Sequence, residues 1–241
     1  NRAGTPLLEI VSEPDLRTPE EAKVYMETLH SLVTYLGVSE GDMEKGHLRC
    51  DANVSVRPKG QEQFGVRAEV KNLNSFRFIQ QAVAYEIDRH REELLDGRKL
   101  IQETRLWDSE RRVTFSMRSK EEAEEYRYFP DPDLPLVQLS EARVAEIRNS
   151  LPELPDAKQE RYQQEHGLSS YDAGVLIASR ETAEFFEATL AEGADPKLAC
   201  NWIMGDLTRV MNESGCGIRE TRITPAQLAE LTDHASSAIL R

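Results

Sequence analysis

The spacing of apolar residues changes once along this chain, and that change limits the folds it can adopt. Up to about residue 140, segments that alternate apolar and polar residues are interspersed with helix-like segments, which predicts strands and helices together. Beyond that point the remaining segments repeat their apolar residues at helical spacing. We therefore predict an α+β fold: a mixed or antiparallel sheet with helices over residues 1–150, followed by an all-α helical domain over residues 151–241.

Two stretches in the first part show the alternation most clearly. HLRCDANVSVRP alternates apolar residues with a polar set that includes Arg49, Asp51 and Asn53, and FGVRAEVKNL places Glu69 and Lys71 on its polar side. A short segment containing glycine separates them, so they are predicted to form an antiparallel hairpin with both signs of charge on one side. LIQETRLWD and RVTFSMRS predict a second hairpin.

Glu9 lies in the middle of an apolar run, TPLLEIVSEPD, that predicts a buried strand. A carboxylate among buried neighbours is costly unless it is paired or binds a cation. Two interpretations follow from the residues alone. Either this side of the strand faces water and Glu9 is a surface or ion-pair residue, or Glu9 has a functional role.

Composition and charge exclude several classes of protein. The net charge of −13 argues against extensive wrapping by nucleic acid, although a local basic patch between Arg67 and Arg118 is compatible with it. No apolar run approaches the ~20 residues of a membrane helix, and no signal peptide is recognised. Cys50, Cys200 and Cys216 lack disulfide or zinc spacing, so we expect a cytoplasmic protein without membrane partners. The chain starts with Asn and ends in helix-like sequence, so we expect a piece of a longer protein.

The chemistry-bearing residues of the first part suggest a phosphoryl-transfer site. Glu9 and Asp51 supply carboxylate oxygens, which suit Mg²⁺, an ion that takes one or two carboxylates and shares its shell with water and phosphate. A helix start at Asn74 and Ser75 offers backbone N–H groups to an anion, and Lys71 nearby neutralises phosphate charge. Because the sequence has no Walker motif and no G-x-G-x-x-G, the residues alone support this hypothesis only in outline.

Each of these residues also has a purely structural interpretation. Asp51 would then pair with Arg49 or, across the hairpin, with Arg67. Lys71 would pair with Glu69 or with Asp51, and the KNLNS stretch would do no more than cap a helix. The residues alone leave both interpretations open.

A series of motifs, taken in order along almost the whole chain, resembles one known family. The motifs are NRAGTPLLEIVSEPDLRTPEEA, GHLRCDANVSVRP, AEVKNLNSFRF, QETRLWD, EYRYFPDPDLP, LPELPDAKQERY and NWIMGDL. The chain is identified by them as similar to the B subunit of the aspartyl/glutamyl-tRNA amidotransferase. Members of that family are longer than this chain, and the resemblance implies that further active-site Glu and His residues lie in an N-terminal part that is absent from it.

The resemblance implies a two-step ligase reaction that uses ATP and Mg²⁺. The side-chain carboxylate of Glu mischarged on tRNA-Gln, or of Asp on tRNA-Asn, is phosphorylated, and ammonia then displaces the phosphate. The ammonia comes from a separate amidase, the A subunit, and a small C subunit belongs to the same complex. Because an acyl-phosphate is hydrolysed easily, ammonia should arrive by a protected route.

The resemblance also implies roles for residues of this chain. Glu9 and Asp51 match positions associated with the metal, and together with Lys71 they are the expected catalytic residues. The residues expected to bind ATP or phosphate are Arg49, Asn53, Lys71, Asn74, Ser75 and Arg127.

A tRNA-binding scaffold, with the chemistry carried elsewhere, is the alternative function. The helical half favours it, since that half is acidic and has no evident catalytic cluster in its sequence. The two interpretations differ at Glu9 and Asp51, because a pure scaffold has no use for two inward carboxylates beside Lys71.

Overall fold

The computed structural model describes residues 5–117 and 138–239, with side chains up to residue 234. Contacts divide the chain into two compact units, Asn1–His30 with Ser39–Leu136, and Ser31–Val38 with Val137–Arg241. The first unit contains a sheet with helices, and the second is helical in its described part, which confirms the predicted α+β class. The division at residue 150 stays a prediction.

The sheet of the first unit has four strands in the order β1-β2-β3-β4. The elements up to β4 are α1 (Pro19–Tyr35), β1 (Cys50–Val54), β2 (Ala68–Leu73), α2 (Phe76–Leu95), β3 (Glu103–Asp108) and β4 (Val113–Ser116). β1 pairs antiparallel with β2, and β3 antiparallel with β4, which confirms both predicted hairpins. β2 and β3 run parallel, with α2 as the crossover connection between them.

Helix α2 covers one side of this sheet, and within the described part of the chain the other side stays partly exposed. Its buried residues Ile79, Ala82 and Val83 pack with sheet residues into one core cluster. The sheet residues of that cluster include Val54, Val70, Leu73 and Trp107. The polar residues of β1 and β2 point the opposite way, as the alternation predicts, and we call that side the open face.

The second unit confirms the helical segments predicted beyond residue 151 and has one further helix, α3, before them. Its helices are α3 (Glu141–Ser150), α4 (Pro155–His166), α5 (Ser170–Ile177), α6 (Arg180–Ala191), α7 (Pro196–Trp202), α8 (Thr208–Ser214) and α9 (Pro225–Ile239). A π-helical turn, Ile203–Leu207, joins α7 to α8. The core of the unit forms around Tyr162, Leu176 and Phe186, which are completely buried. Among the helices of the described residues, none is both long and apolar enough to cross a membrane.

The apolar run around Glu9 differs from its prediction. Residues 5–13 form no regular element, Glu9 is exposed, and Leu7 and Val11 are 93% and 81% exposed. A strand is stable only when its backbone N–H and C=O groups pair with a neighbour, and none of the four strands in the described sheet pairs with this run. The prediction of a buried strand at this position is therefore wrong.

Candidate functional site

Four polar side chains are joined on the open face of the sheet. Lys71 Nζ donates a hydrogen bond to Asp51 Oδ2 at 2.8 Å and lies 3.2 Å from Glu69 Oε1. Thr104 Oγ1 donates to the other oxygen of Glu69, Oε2, at 2.9 Å. We call these four residues the open-face cluster. Among the described residues Asp51 is thus paired with Lys71, and the predicted pairing of Asp51 with Arg49 or Arg67 is wrong. Lys71 contacts both of the carboxylates that were its predicted partners, Asp51 and Glu69.

An irregularity in the sheet places Lys71 opposite Asp51. The β1–β2 register shifts by one residue at Asp51, so that Lys71 and Asn72 together face it. Asn72 has a left-handed backbone with φ of 69°, a conformation that Asn tolerates better than most residues. Its side-chain Nδ2 donates to the carbonyl oxygen of Trp107 at 3.0 Å, which ties the bulge to β3.

The charges of the open-face cluster stabilise one another while remaining accessible to solvent. The hydrogen bond to Asp51 raises the pKa of Lys71 above its ordinary value and outweighs partial burial. Burial tends to raise the pKa of Glu69, but the hydrogen bonds from Thr104 and Lys71 prevail and lower it. The side chains of Asp51, Lys71 and Glu69 are 48%, 39% and 33% exposed. An ammonium between two carboxylates is therefore available to a ligand at neutral pH.

The remaining predicted residues of the first strands lie apart from this set of contacts. Asn53 is exposed on β1, in register with Glu69, and Arg49 is exposed immediately before β1. Among the described residues, no hydrogen bond or ion pair joins Glu9 to Asp51. Arg127 lies outside the described residues.

The start of α2 is capped as expected. Ser75 Oγ accepts a hydrogen bond from the backbone N–H of Phe78 at 3.1 Å, which is the structural role foreseen for the KNLNS stretch. Asn74 and Ser75 also line a cavity of ≈ 270 Å³. Asp42 and Glu44 line the same cavity, so a phosphate there would gain N–H groups of the helix start but would meet two carboxylates.

The open-face cluster fits Mg²⁺ in the kind of donor it offers. Within residues 5–117 and 138–239, no group of three or more His, Cys, Asp and Glu side chains is placed to hold a metal ion. Mg²⁺ usually takes only one or two protein carboxylates and keeps several waters, so the oxygens of Asp51 are suitable ligands. In the structure the Lys71 ammonium compensates the charge of Asp51.

Sequence reasoning missed a second polar cluster, on the helix-covered side of the same sheet. We call it the buried cluster, and its members are Glu86, Arg89, His90, Glu103, Arg105 and Thr114. Glu86 is completely buried. Its carboxylate oxygens lie 2.7 Å from Arg89 Nη2 and 3.1 Å from Arg105 Nε, and they also accept a hydrogen bond from the hydroxyl of Thr114. Glu86 follows Ile79, Ala82 and Val83 at helical spacing, and this spacing could have indicated that Glu86 lies on the buried side of α2.

The donors around Glu86 keep it ionised despite its burial. Burial by itself would raise the pKa of Glu86, but His90, Arg89 and Thr114 together lower it to about 2. His90 Nε2 lies 3.4 Å from a carboxylate oxygen of Glu86, and neither ring nitrogen has hydrogen-bond geometry to a described partner. This cluster joins β3 and β4 to α2 and is largely shielded from solvent, so we assign it a structural role.

Two family models match this chain. One, described as the GatB/GatE catalytic domain, covers residues 1–145, and the other, described as a GatB domain, covers residues 184–239. The chain belongs to the GatB/GatE family. The whole open-face cluster lies within the region that the GatB/GatE catalytic-domain model matches.

Curated relatives agree with this membership and confirm the resemblance found from the motifs. Proteins named as the B subunit of aspartyl/glutamyl-tRNA(Asn/Gln) amidotransferase, from Azotobacter vinelandii and Geobacter sulfurreducens, are each 56% identical over 231 residues, which are 96% of this chain. The protein of that name from Ectopseudomonas mendocina is 54% identical over all 241 residues. These alignments cover 48–49% of the relatives, so the chain spans about half the length of the GatB-type proteins it matches.

Proposed function

We propose that this chain is the part of an amidotransferase B subunit that phosphorylates the amino acid of a mischarged tRNA. The observation that carries the proposal is the Lys71 ammonium held between two carboxylates on an accessible sheet face, inside the region matched by a catalytic-domain model. The names of the relatives support the substrate class. On this proposal the protein works in the cytoplasm with ATP, an amidase (the A subunit) and a small C subunit.

The proposed reaction makes a poor acyl donor reactive. The side-chain carboxylate of Glu on tRNA-Gln, or of Asp on tRNA-Asn, attacks the γ-phosphorus of ATP, and ADP leaves. Ammonia then attacks the acyl carbon, phosphate leaves with the C–O bond electrons, and the nitrogen loses a proton to give the amide. Positioning and charge neutralisation provide most of the catalysis in phosphoryl transfer, and they are what the open-face cluster offers.

The residues of the cluster would divide this work. Lys71 Nζ, already oriented by Asp51 and Glu69, would donate to a phosphate oxygen. Asp51, with Glu9, would hold Mg²⁺, which supplies neutralisation of the phosphate charge when it is bound. Arg49, Asn53, Asn74, Ser75 and Arg127 remain the predicted phosphate-binding residues.

Charge-removing variants in the full-length protein, assembled with its partner subunits, test the proposal. We expect Lys71→Met and Asp51→Asn to lower tRNA-dependent ATP hydrolysis by about 10²-fold or more, with tRNA affinity retained. Glu9→Gln tests the proposed second metal ligand in the same assay. Lys59→Met removes an exposed lysine in the loop between β1 and β2 and is the matched control.

The same assay separates the proposal from the alternative. If ATP hydrolysis survives these variants while tRNA affinity falls, the chain is a tRNA-binding scaffold and the catalytic carboxylates lie elsewhere. If neither changes, the open-face cluster has no role in the reaction.

A further inference from the structure

We propose that Thr104 is a positioning residue that acts through Glu69 on Lys71, an inference that rests on the proposed function. Its hydroxyl donates to Glu69 Oε2, while Glu69 Oε1 lies near Lys71 Nζ. Each oxygen of the carboxylate therefore has its own partner, and the plane of the group is fixed. Without the hydroxyl, the Glu69 carboxylate is free to rotate about its terminal bond, and its hold on Lys71 loosens.

The direction of the Lys71 ammonium is the quantity that Thr104 controls. The Lys71 ammonium has three N–H donors, and the described contacts direct two of them to Asp51 and Glu69. With two of its N–H groups directed to these carboxylates, the ammonium has a single direction left for the third. That N–H is the one left to donate to a phosphate oxygen, so a fixed Glu69 pre-orients the cation before the substrate arrives.

Strand β3 holds Thr104 in place from the other side of the sheet. The next residue, Arg105, points into the buried cluster, where its Nε donates to Thr114 Oγ1 at 2.7 Å and its Nη2 to the Thr114 carbonyl oxygen at 2.9 Å. Further along β3, the carbonyl of Trp107 accepts from Asn72. Thr104 therefore lies on a strand that is fastened on both sides, and it can hold Glu69 without moving.

Electrostatics give this positioning a measurable signature. Burial raises the pKa of Glu69, whereas the Thr104 hydrogen bond is the first of the contributions that lower it. In a variant without that hydroxyl the pKa of Glu69 is higher, so Glu69 becomes neutral at a higher pH. The ion pair between Glu69 and Lys71 is then lost at that higher pH. The acid limb of the activity profile should therefore move to higher pH.

The test compares Thr104→Val and Thr104→Ser in the full-length protein within its complex. We expect Thr104→Val to lower kcat for tRNA-dependent ATP hydrolysis about tenfold, with a smaller change in KM, and to shift the acid limb upward. Thr104→Ser keeps the hydroxyl and should restore both. Thr189→Val is the control, because it also removes the hydrogen bond of a threonine hydroxyl, Oγ1 to Phe185 O at 2.8 Å, but in the second unit.

Three outcomes would overturn the inference. One is a wild-type kcat and acid limb for Thr104→Val while Glu69→Gln is impaired, which leaves the proposed function standing. Another is a loss in Thr104→Val that Thr104→Ser fails to restore, since the hydroxyl is then not the cause. The third is full activity in Glu69→Gln and Lys71→Met, which overturns the proposed function as well. If Thr104→Val does not fold, Thr104→Ala removes the same hydroxyl without adding a methyl group in its place.

Discussion

The two sides of one sheet carry the same kinds of charged residue in opposite surroundings. On the open face, Lys71 is shared between Asp51 and Glu69, and water reaches all three. On the covered side, Glu86 is shared between Arg89 and Arg105 and is closed to solvent. On the open face, a ligand from solvent can replace one of the ion-pair partners. On the covered side, Glu86 is out of reach of such a ligand.

Solvation explains why losing an ion-pair partner on the covered side destabilises the fold, whereas ion pairs on the open face contribute little to stability. Exposed ion pairs contribute only about 0–1 kcal/mol to stability, because water and salt screen them. A buried charge costs several kcal/mol to desolvate and is tolerated only when its hydrogen bonds are satisfied, so losing one partner is strongly destabilising. We therefore expect substitutions on the covered side to unfold the first unit and substitutions on the open face to leave it folded.

The largest expected effect is that of Glu86→Ala. Removing this carboxylate leaves Arg89 and Arg105, whose side chains are only 16% and 12% exposed, without the acceptor they share, and the free energy of unfolding should fall by about 3–5 kcal/mol. Urea denaturation of the chain measures it, with Asp88→Ala as the control because Asp88 is exposed on the same helix. A loss below about 1 kcal/mol would show that the buried cluster is not structural.

The next effect is a dependence on pH that belongs to the covered side. Because the pKa of Glu86 is lowered from 4.5 to about 2, the folded protein binds fewer protons here than the unfolded chain. The resulting stabilisation is complete above pH 4.5 and is lost as the pH falls towards 2. Thermal melts across this range should show the stability gap between wild type and Glu86→Gln narrowing as the pH falls. A gap that stays constant would contradict the assignment.

A smaller effect is expected at the bulge that joins the open-face cluster to β3. Asn72→Ala leaves a residue that tolerates the left-handed conformation less well than Asn and removes the hydrogen bond to Trp107 O, which should lower the free energy of unfolding by about 1–2 kcal/mol. Asn72→Gly introduces a residue that adopts the left-handed backbone conformation readily, so it should be the more stable of the two variants. Equal denaturation midpoints would mean that the backbone conformation is not what Asn72 provides.

The smallest effect is expected on the open face itself. Asp51→Asn should change the free energy of unfolding by less than about 1 kcal/mol. The difference should shrink further between 0.1 and 1 M salt, because the screening length falls from about 10 Å to about 3 Å. Denaturation at the two salt concentrations measures this. A loss comparable with that of Glu86→Ala would remove the distinction between the two sides.

Part of the candidate site could be predicted because it depends on local pattern. The alternation in β1 and β2 assigns Asp51 and Lys71 to the same side of an antiparallel pair, and their ion pair was one of the interpretations left open. Thr104 could not be predicted, because it lies 35 residues from Glu69 and meets it only through the parallel pairing of β2 with β3. Glu9 shows the opposite failure, since an apolar pattern predicted a strand for which the described sheet provides no partner.

The sequence by itself determined the two hairpins, the polar side of β1 and β2, the capped start of α2 and the family. Those features depend on periods of 2 and 3.6 residues, on caps, and on motifs read along the chain, all of which are short-range. Only the tertiary structure decided that β2 pairs with β3, that Glu86 of α2 is enclosed against the sheet, and that the run around Glu9 is exposed. Burial and strand pairing depend on which distant segments meet, and no local period encodes that choice.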